Sequence, residues 1–420
     1  MNTIIGMEFH IRLNTRTKAF SDVAIAAFDD PPNTAVDAVT AGEPGSLPVV
    51  NKSMVDKGLM LALACNANIA DTLEFDRKHY FYPDLPKGYQ ITQHRKPLAT
   101  GGALLVMNAD GIMTELPLLQ LHLEEDSAKT VITEDNLYLD LNRAGNPLLE
   151  MVTAAEIRNA AMAVDTFHAV QNLVRYLLIS DARPEEGSFR CDANISVADN
   201  QGISSARVEI KNINSTAALK SALEYEENRL KYAVEAGISG RDETRCWDEK
   251  AKQTVHERYK ESEIQYRYLP EWDLPPVSLE KEYTAKLAKE LPEHPAAVFK
   301  ELVSKYGISI ETAKVVSNRR LFADIVRNIQ EPEKTITLVT NWLKGPLRTM
   351  SECDPEVAGK RLSELAGLVL NNKINDTSAR EIMSDAVTFT KGDAEMLALK
   401  KNKLITTCSA DLINLVEHLL

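Results

Sequence analysis

Four short segments in the first half of the chain alternate apolar and polar residues with a period of two, and each polar phase carries chemically capable groups. In Met7 to Leu13 the apolar phase is Met7, Phe9, Ile11 and Leu13, which leaves Glu8, His10 and Arg12 on the other side. In Leu119 to Glu124, Leu119, Leu121 and Leu123 oppose Gln120, His122 and Glu124. Phe189 to Val197 turns Phe189, Cys191, Ala193, Ile195 and Val197 inward and Arg190, Asp192, Asn194 and Ser196 outward. In Arg207 to Lys211, Val208 and Ile210 oppose Arg207, Glu209 and Lys211. One-sided strands of this kind fit an antiparallel sheet covered on one face. The uncovered face is then expected to be a charged, functional surface.

The 420 residues allow two or three domains. Up to about residue 280 strands mix with helices such as Asn159 to Ile179 and Ala217 to Ala236. Proline punctuation at Asp273-Leu274-Pro275-Pro276-Val277 and Leu291-Pro292-Glu293-His294-Pro295 then gives way to helix after helix, which puts a domain boundary near 290. The expected class is α+β, with an antiparallel sheet and flanking helices followed by an all-helical domain. No run of about 18 apolar residues reads as a membrane span. The chain opens on strand-like Thr3-Ile4-Ile5 rather than a secretory signal, so a cytoplasmic location is expected. Cys65, Cys191, Cys246, Cys353 and Cys408 form no C-x-x-C pair and read as free thiols. A formal charge of −13 disfavours indiscriminate binding to nucleic acid, although bases outnumber acids from Lys300 to Arg348.

The segment Phe81-Tyr82-Pro83-Asp84-Leu85-Pro86-Lys87-Gly88-Tyr89-Gln90 has no amphipathic period. Two prolines and a Lys-Gly turn make it a loop that presents side chains. Six further motifs accompany it: Gly6-Met7-Glu8-Phe9-His10, His122-Leu123-Glu124-Glu125-Asp126, Asp140-Leu141-Asn142-Arg143-Ala144-Gly145, Glu186-Gly187-Ser188-Phe189-Arg190-Cys191-Asp192-Ala193-Asn194, Glu209-Ile210-Lys211-Asn212 and Tyr266-Arg267-Tyr268. Together they resemble the B-subunit family of the bacterial aspartyl/glutamyl-tRNA amidotransferases. The resemblance is strong from residue 4 to about 290 and thinner through Asn341-Trp342-Leu343 to the end.

It implies a catalytic cradle over residues 1–290, a helical domain over 291–405 and a remnant of a tail domain over 406–420. It also implies a reaction. The side-chain carboxylate of Glu or Asp on mischarged tRNA(Gln) or tRNA(Asn) is phosphorylated by ATP and then amidated by ammonia. A separate amidase, the A subunit, supplies the ammonia from glutamine, and the small C subunit is the brace of the heterotrimer. No Ser-Lys or Cys-His signature of an amidase nucleophile stands in this chain, in agreement with that division.

From their chemistry alone, Glu8, His10, Glu124, Glu125 and Glu150 are a hard donor set suited to Mg2+, with Mn2+ able to substitute. The same positions match the family's metal-binding residues. Glu124 and Glu125 are adjacent, so a regular strand would aim them at opposite faces; either a bulge unites them or only one is a direct ligand. Lys78, Lys87, Arg143, Arg190, Asn194 and Lys211 are the candidates for holding ATP, and Lys78, Arg190, Asp192 and Asn194 for catalysis. No P-loop or kinase glycine-rich loop is present, so ATP use is implied by the resemblance only. Asp192-Ala193-Asn194-Ile195-Ser196 opens like a calcium loop, but Val197 replaces the required glycine.

Two departures from the family pattern stand out. Relatives' zinc-knot cysteines are missing from Lys18 to Asp22 and from Ala35 to Gly42, so zinc is not expected. Most of the tail domain is missing after Leu420, which leaves two alternatives beside the main reading: a paralogue that amidates a tRNA-free carboxylate, and a non-catalytic tRNA-binding scaffold.

Overall fold

The computed structural model describes residues 1–199, 204–238, 240–259, 266–388 and 394. The chain divides into two compact units, Met1–Pro292 and Glu293–Leu420. The expected tail remnant, residues 406–420, lies outside the described residues, as does Cys408. The other four cysteines are free thiols.

The first unit is built on a ten-stranded sheet. Its order runs Gln253–Tyr259, Glu243–Asp248, Val208–Ile213, Phe189–Ala198, Asn2–Arg12, Pro147–Thr153, Met113–Glu125, Ala99–Thr100 and Asn68–Ile69, with Ala103–Met107 also paired to Met113–Glu125. The N-terminal strand is therefore central. The sheet is mixed rather than wholly antiparallel: Val208–Ile213 and Glu243–Asp248 run parallel, joined by the helix Thr216–Glu235. A parallel pair needs such a crossover, because a tight turn cannot return the chain to the same direction.

The predicted faces form. Met7, Phe9, Ile11 and Leu13 are buried, and the Phe9 ring lies 5.7 Å from Phe189 and 6.3 Å from Phe167 on the helix Ala160–Tyr176. That helix, Lys52–Ala64 and Thr216–Glu235 start where Asn159, Asn51 and Ser215 accept hydrogen bonds from their first-turn amides. Leu119 departs from expectation. It is 56% exposed, because the register slips between Val152 and Thr153: Val152 pairs with Gln120, but Thr153 pairs with Leu118. The extra residue of this irregularity puts Leu116 and Leu118 inward below it and Leu121 and Leu123 inward above it.

The two cysteine-free segments are joined by an ammonium. Lys18 is 1% exposed, and its Nζ donates to the Ala35 carbonyl at 2.7 Å and the Leu141 carbonyl at 3.2 Å. Burial pulls this amine down to about 8.

The second unit is helical over its described residues, from Pro295–Ser304 to Asp376–Thr388. Trp342 is fully buried there and donates its indole N–H to Asp376 at 2.9 Å. Several bases of the Lys300 to Arg348 stretch are committed internally. Arg320 pairs with Asp324, Arg327 with Glu293 and Glu301, and Lys344 with Glu311. Arg319 donates to the backbone carbonyls of Arg348 and Met350.

Candidate functional site

Register assembles the site. His10 lies opposite Arg190 on one side and Glu150 on the other, and Glu150 lies opposite His122. A single row across four strands thus reads Arg190, His10, Glu150, His122. Glu124 reaches the same place from two residues along its strand. His10 Nε2 is 3.7 Å from a Glu124 oxygen and 3.5 Å from a Glu150 oxygen. One ligand atom from each of the three lies within 4.8 Å of the others, the only such group of histidine, cysteine or acidic side chains among the described residues.

The surroundings fit a divalent cation of the hard class. His122 fixes its tautomer by donating Nδ1–H to the Gln93 carbonyl at 3.0 Å, which turns Nε2 toward the cluster. That Nε2 is 2.9 Å from a Glu150 oxygen, the distance of an ion pair. Burial works against charge on this imidazole, but Glu150 and Glu124 outweigh it and lift it to about 8. Burial would raise the Glu150 carboxyl; His122, His10 and Lys78 reverse this and hold it well below the usual carboxylate range. Two carboxylates and an imidazole are oxygen-rich for zinc and suited to Mg2+ or Mn2+.

Glu8 and Glu125 fall outside the group of three. Glu8 stands beside it, with Asn194 donating to its carboxylate at 3.0 Å. Burial, then Glu150 and Glu209, raise its proton affinity. Glu125 obeys strand parity. Its two oxygens take the Lys87 ammonium at 2.5 and 2.6 Å, and one accepts the Ile91 amide at 2.9 Å. Glu124 faces the cluster, and the Thr92 hydroxyl donates to it at 3.2 Å.

The sequence-predicted cations divide into two sets. Lys78 stands over the rings of Tyr266 and Tyr80 at 5.0 and 5.9 Å and makes no ion pair among the described residues. Burial disfavours its charge, but Glu124, Tyr268 and Glu150 prevail and raise it. The Arg190 side chain is 40% exposed and donates from Nη2 to Asp126 at 2.9 Å, while its Nε is buried without a hydrogen-bond partner among the described residues. Lys211 bridges Asp192 at 2.9 Å and Glu209 at 3.3 Å. Arg143 and Lys87 are occupied elsewhere. Arg143 donates to the Ser127 and Ala128 carbonyls at 2.9 and 2.6 Å, and Lys87 holds Glu125.

His122 and Glu209 were visible in polar phases but carried no role in the sequence reading. Cross-strand register was the missing signal, because it sets His122 against Glu150 and Glu209 against Asn194. A cleft of about 180 Å³ opens beside Glu8, bordered by Gly6, Leu119, Asn194 and Arg207.

The family model described as "GatB/GatE catalytic domain" matches residues 3–285. Curated proteins named as the B subunit of an aspartyl/glutamyl-tRNA(Asn/Gln) amidotransferase are similar over most of their length. That of Pseudothermotoga lettingae is 38% identical over 419 residues, covering 96% of this chain and 87% of its own. The protein of Thermotoga maritima strain MSB8 is 39% identical over 414 residues, with 94% and 85% covered. For Synechococcus sp. strain JA-3-3Ab the identity is 38% over 396 residues, with 91% and 81% covered.

Proposed function

Because the chain belongs to the GatB/GatE catalytic-domain family, we propose that it is the carboxylate-activating and amidating component of a tRNA-dependent amidotransferase, centred on His10, Glu124 and Glu150. The observation that carries this reading is the cross-strand row, which gathers hard ligands and cations on one face of the sheet. The substrate is the side-chain carboxylate of Glu or Asp on mischarged tRNA(Gln) or tRNA(Asn). A carboxylate oxygen attacks the γ-phosphorus of ATP and ADP leaves. Ammonia then adds to the acyl carbon, inorganic phosphate departs, and the product is Gln or Asn on the tRNA. The relatives' names specify tRNA, which favours a tRNA-linked substrate over a free carboxylate.

His10, Glu124 and Glu150 would hold Mg2+ or Mn2+, which when bound neutralises charge on phosphoryl oxygens. Lys78 lacks a carboxylate partner among the described residues and has a raised proton affinity, so it stays charged for an incoming phosphate or carboxylate. Arg190, whose charge Asp126 sustains, stands at the end of the same row. Asn194 orients Glu8, and Lys211 holds Asp192 against the row. Ammonia comes from the amidase, or A, partner, the small C partner serves as brace, and the assembly works in the cytoplasm.

The test is incubation with these partners, ATP, Mg2+, glutamine and Glu-tRNA or Asp-tRNA, followed by analysis of the released amino acid. Gln or Asn should appear only with ATP. Amidation that persists without ATP would overturn the assignment.

A further inference from the structure

Beyond the Arg190 end of the row, Val208–Ile213 and Glu243–Asp248 run parallel, with Glu209 opposite Thr244 and Lys211 opposite Cys246. Thr244 is fully buried, and its hydroxyl donates to one Glu209 oxygen at 2.8 Å. The other Glu209 oxygen lies 3.3 Å from the Lys211 ammonium, which reaches Asp192 at 2.9 Å. Asp192 stands opposite Glu8 across the ladder. A line of polar side chains, Thr244, Glu209, Lys211 and Asp192, thus runs from a strand that supplies no member of the row to the acid beside the group of His10, Glu124 and Glu150.

A second tie lies one residue beyond Lys211. The register with Phe189–Ala198 shifts between Cys191 and Ala193, so Lys211 and Asn212 together face the single residue Asp192. Asn212 takes φ 63°, a left-handed conformation that asparagine tolerates better than most side chains. Its Nδ2 donates to the Trp247 carbonyl at 3.1 Å. Lys211 is therefore bracketed by two side-chain bonds to the same neighbouring strand, one through Glu209 and one through Asn212. An ammonium on a flexible stem has no fixed direction of its own; here the neighbouring strand sets it. Burial works against the Lys211 charge, but Asp192 and then Glu209 outweigh it. Left-handed residues other than glycine gather at functional sites, where the surrounding structure holds them.

We propose that Thr244 is a positioning residue for the carboxylate-activating reaction: through Glu209 its hydroxyl holds Lys211 on Asp192. The proposal rests on the functional reading above. Removing the hydroxyl takes one donor from a buried carboxylate. Glu209 can then turn both oxygens to Lys211 and draw the ammonium off Asp192, which is left to repel Glu8 directly across the ladder.

The test uses the full chain with its amidation partners, ATP, Mg2+, glutamine and aminoacylated tRNA. Thr244→Val keeps the shape and strand preference of threonine. It should lower kcat/KM for ATP about tenfold, whereas Thr244→Ser, which restores the hydroxyl, should stay within about twofold of the parent. In a Lys211→Met background Thr244→Val should cost no further activity. A full loss there would reduce Thr244 to packing and overturn the proposal. A second readout needs no turnover: the rate at which an amine-acylating ester labels Lys211 at fixed pH, followed by peptide mass spectrometry, with the other lysines as the control for folding. The Lys211 side chain is 33% exposed, and Thr244→Val should label it severalfold faster than the parent or Thr244→Ser. Equal labelling in all three would overturn the proposal, as would equal activity. Labelling reports the hold on Lys211 even if the parent shows no amidation, a result that would count against the functional reading alone.

Discussion

Two charged networks flank the same sheet, and they are built to opposite rules. Behind it, Glu226 is fully buried and meets Arg229 at 2.7 Å and Arg245 at 3.1 Å. Glu243 completes that group, bonded by Arg229 at 2.9 Å and His256 at 2.6 Å. Acids and bases balance, and the chain's own groups fill the bonding directions. On the opposite face Glu8, Glu124 and Glu150 crowd together, Arg190 Nε has no hydrogen-bond partner among the described residues, and acids repel acids. A closed network contributes to folding and specificity, whereas an open one keeps its bonding capacity for something that arrives from solution.

The largest expected effect comes from breaking the open network. Glu150→Gln should lower ATP-dependent amidation on the order of 10³-fold by removing a carboxylate that would hold the cation neutralising the phosphoryl oxygens. An activity within tenfold of the parent would erase the distinction. Next comes the closed network: Glu226→Ala leaves two guanidiniums without their buried partner and should cost about 3–5 kcal/mol in chemical denaturation. If it costs no more than a surface change, the balance described above has no energetic meaning.

Divalent cations sharpen the contrast. Mg2+ or Mn2+ at about 100 times its dissociation constant should stabilise the first unit by about 2.7 kcal/mol, an increment lost in His10→Ala and kept in Glu243→Gln. Equal stabilisation of both variants would place the ion elsewhere. The smallest effects, about 1 kcal/mol, have opposite signs. Glu243 is held below its ordinary 4.5, so it contributes stability above that pH and loses it as pH falls through the depressed value. Glu8 is raised above 4.5, so the fold loses stability as pH rises through the raised value. With a chelator present at pH 7, Glu243→Gln should therefore destabilise and Glu8→Gln should stabilise. Melts at pH 7 and pH 4 would expose a shared sign as a failure.

Much of the open face was readable in the chain itself because period two assigns each residue a side of the sheet. His10 and Arg190 could be seen to share a surface with the polar phases of other strands. What period two does not give is register, and register is what makes His122 a neighbour of Glu150. The irregularity that exposes Leu119 was hidden for the same reason: a slip of one residue leaves local composition untouched. Glu226 gave no signal at all, since it sits in the helix Thr216–Glu235 among ordinary helix formers and its partners lie on distant strands. Parity did settle Glu124 against Glu125 once the strand was known to run unbroken to Glu125.

The central place of the strand Asn2–Arg12 has a consequence for synthesis. It leaves the ribosome well before both of its sheet neighbours: the Met7 amide bonds to Thr153, 146 residues away, and Glu8 is held by Asn194, 186 residues away. Until then its two edges have no native ladder to join. Contacts of such long range are slow to form, and an unpaired apolar strand is a template for wrong pairing. The nascent chain should need shielding until Ala198 has cleared the exit tunnel. His10 would then acquire Glu150 and Arg190 as its lateral neighbours in the same step that closes the middle of the sheet, so half-made chains should be inert as well as unstable.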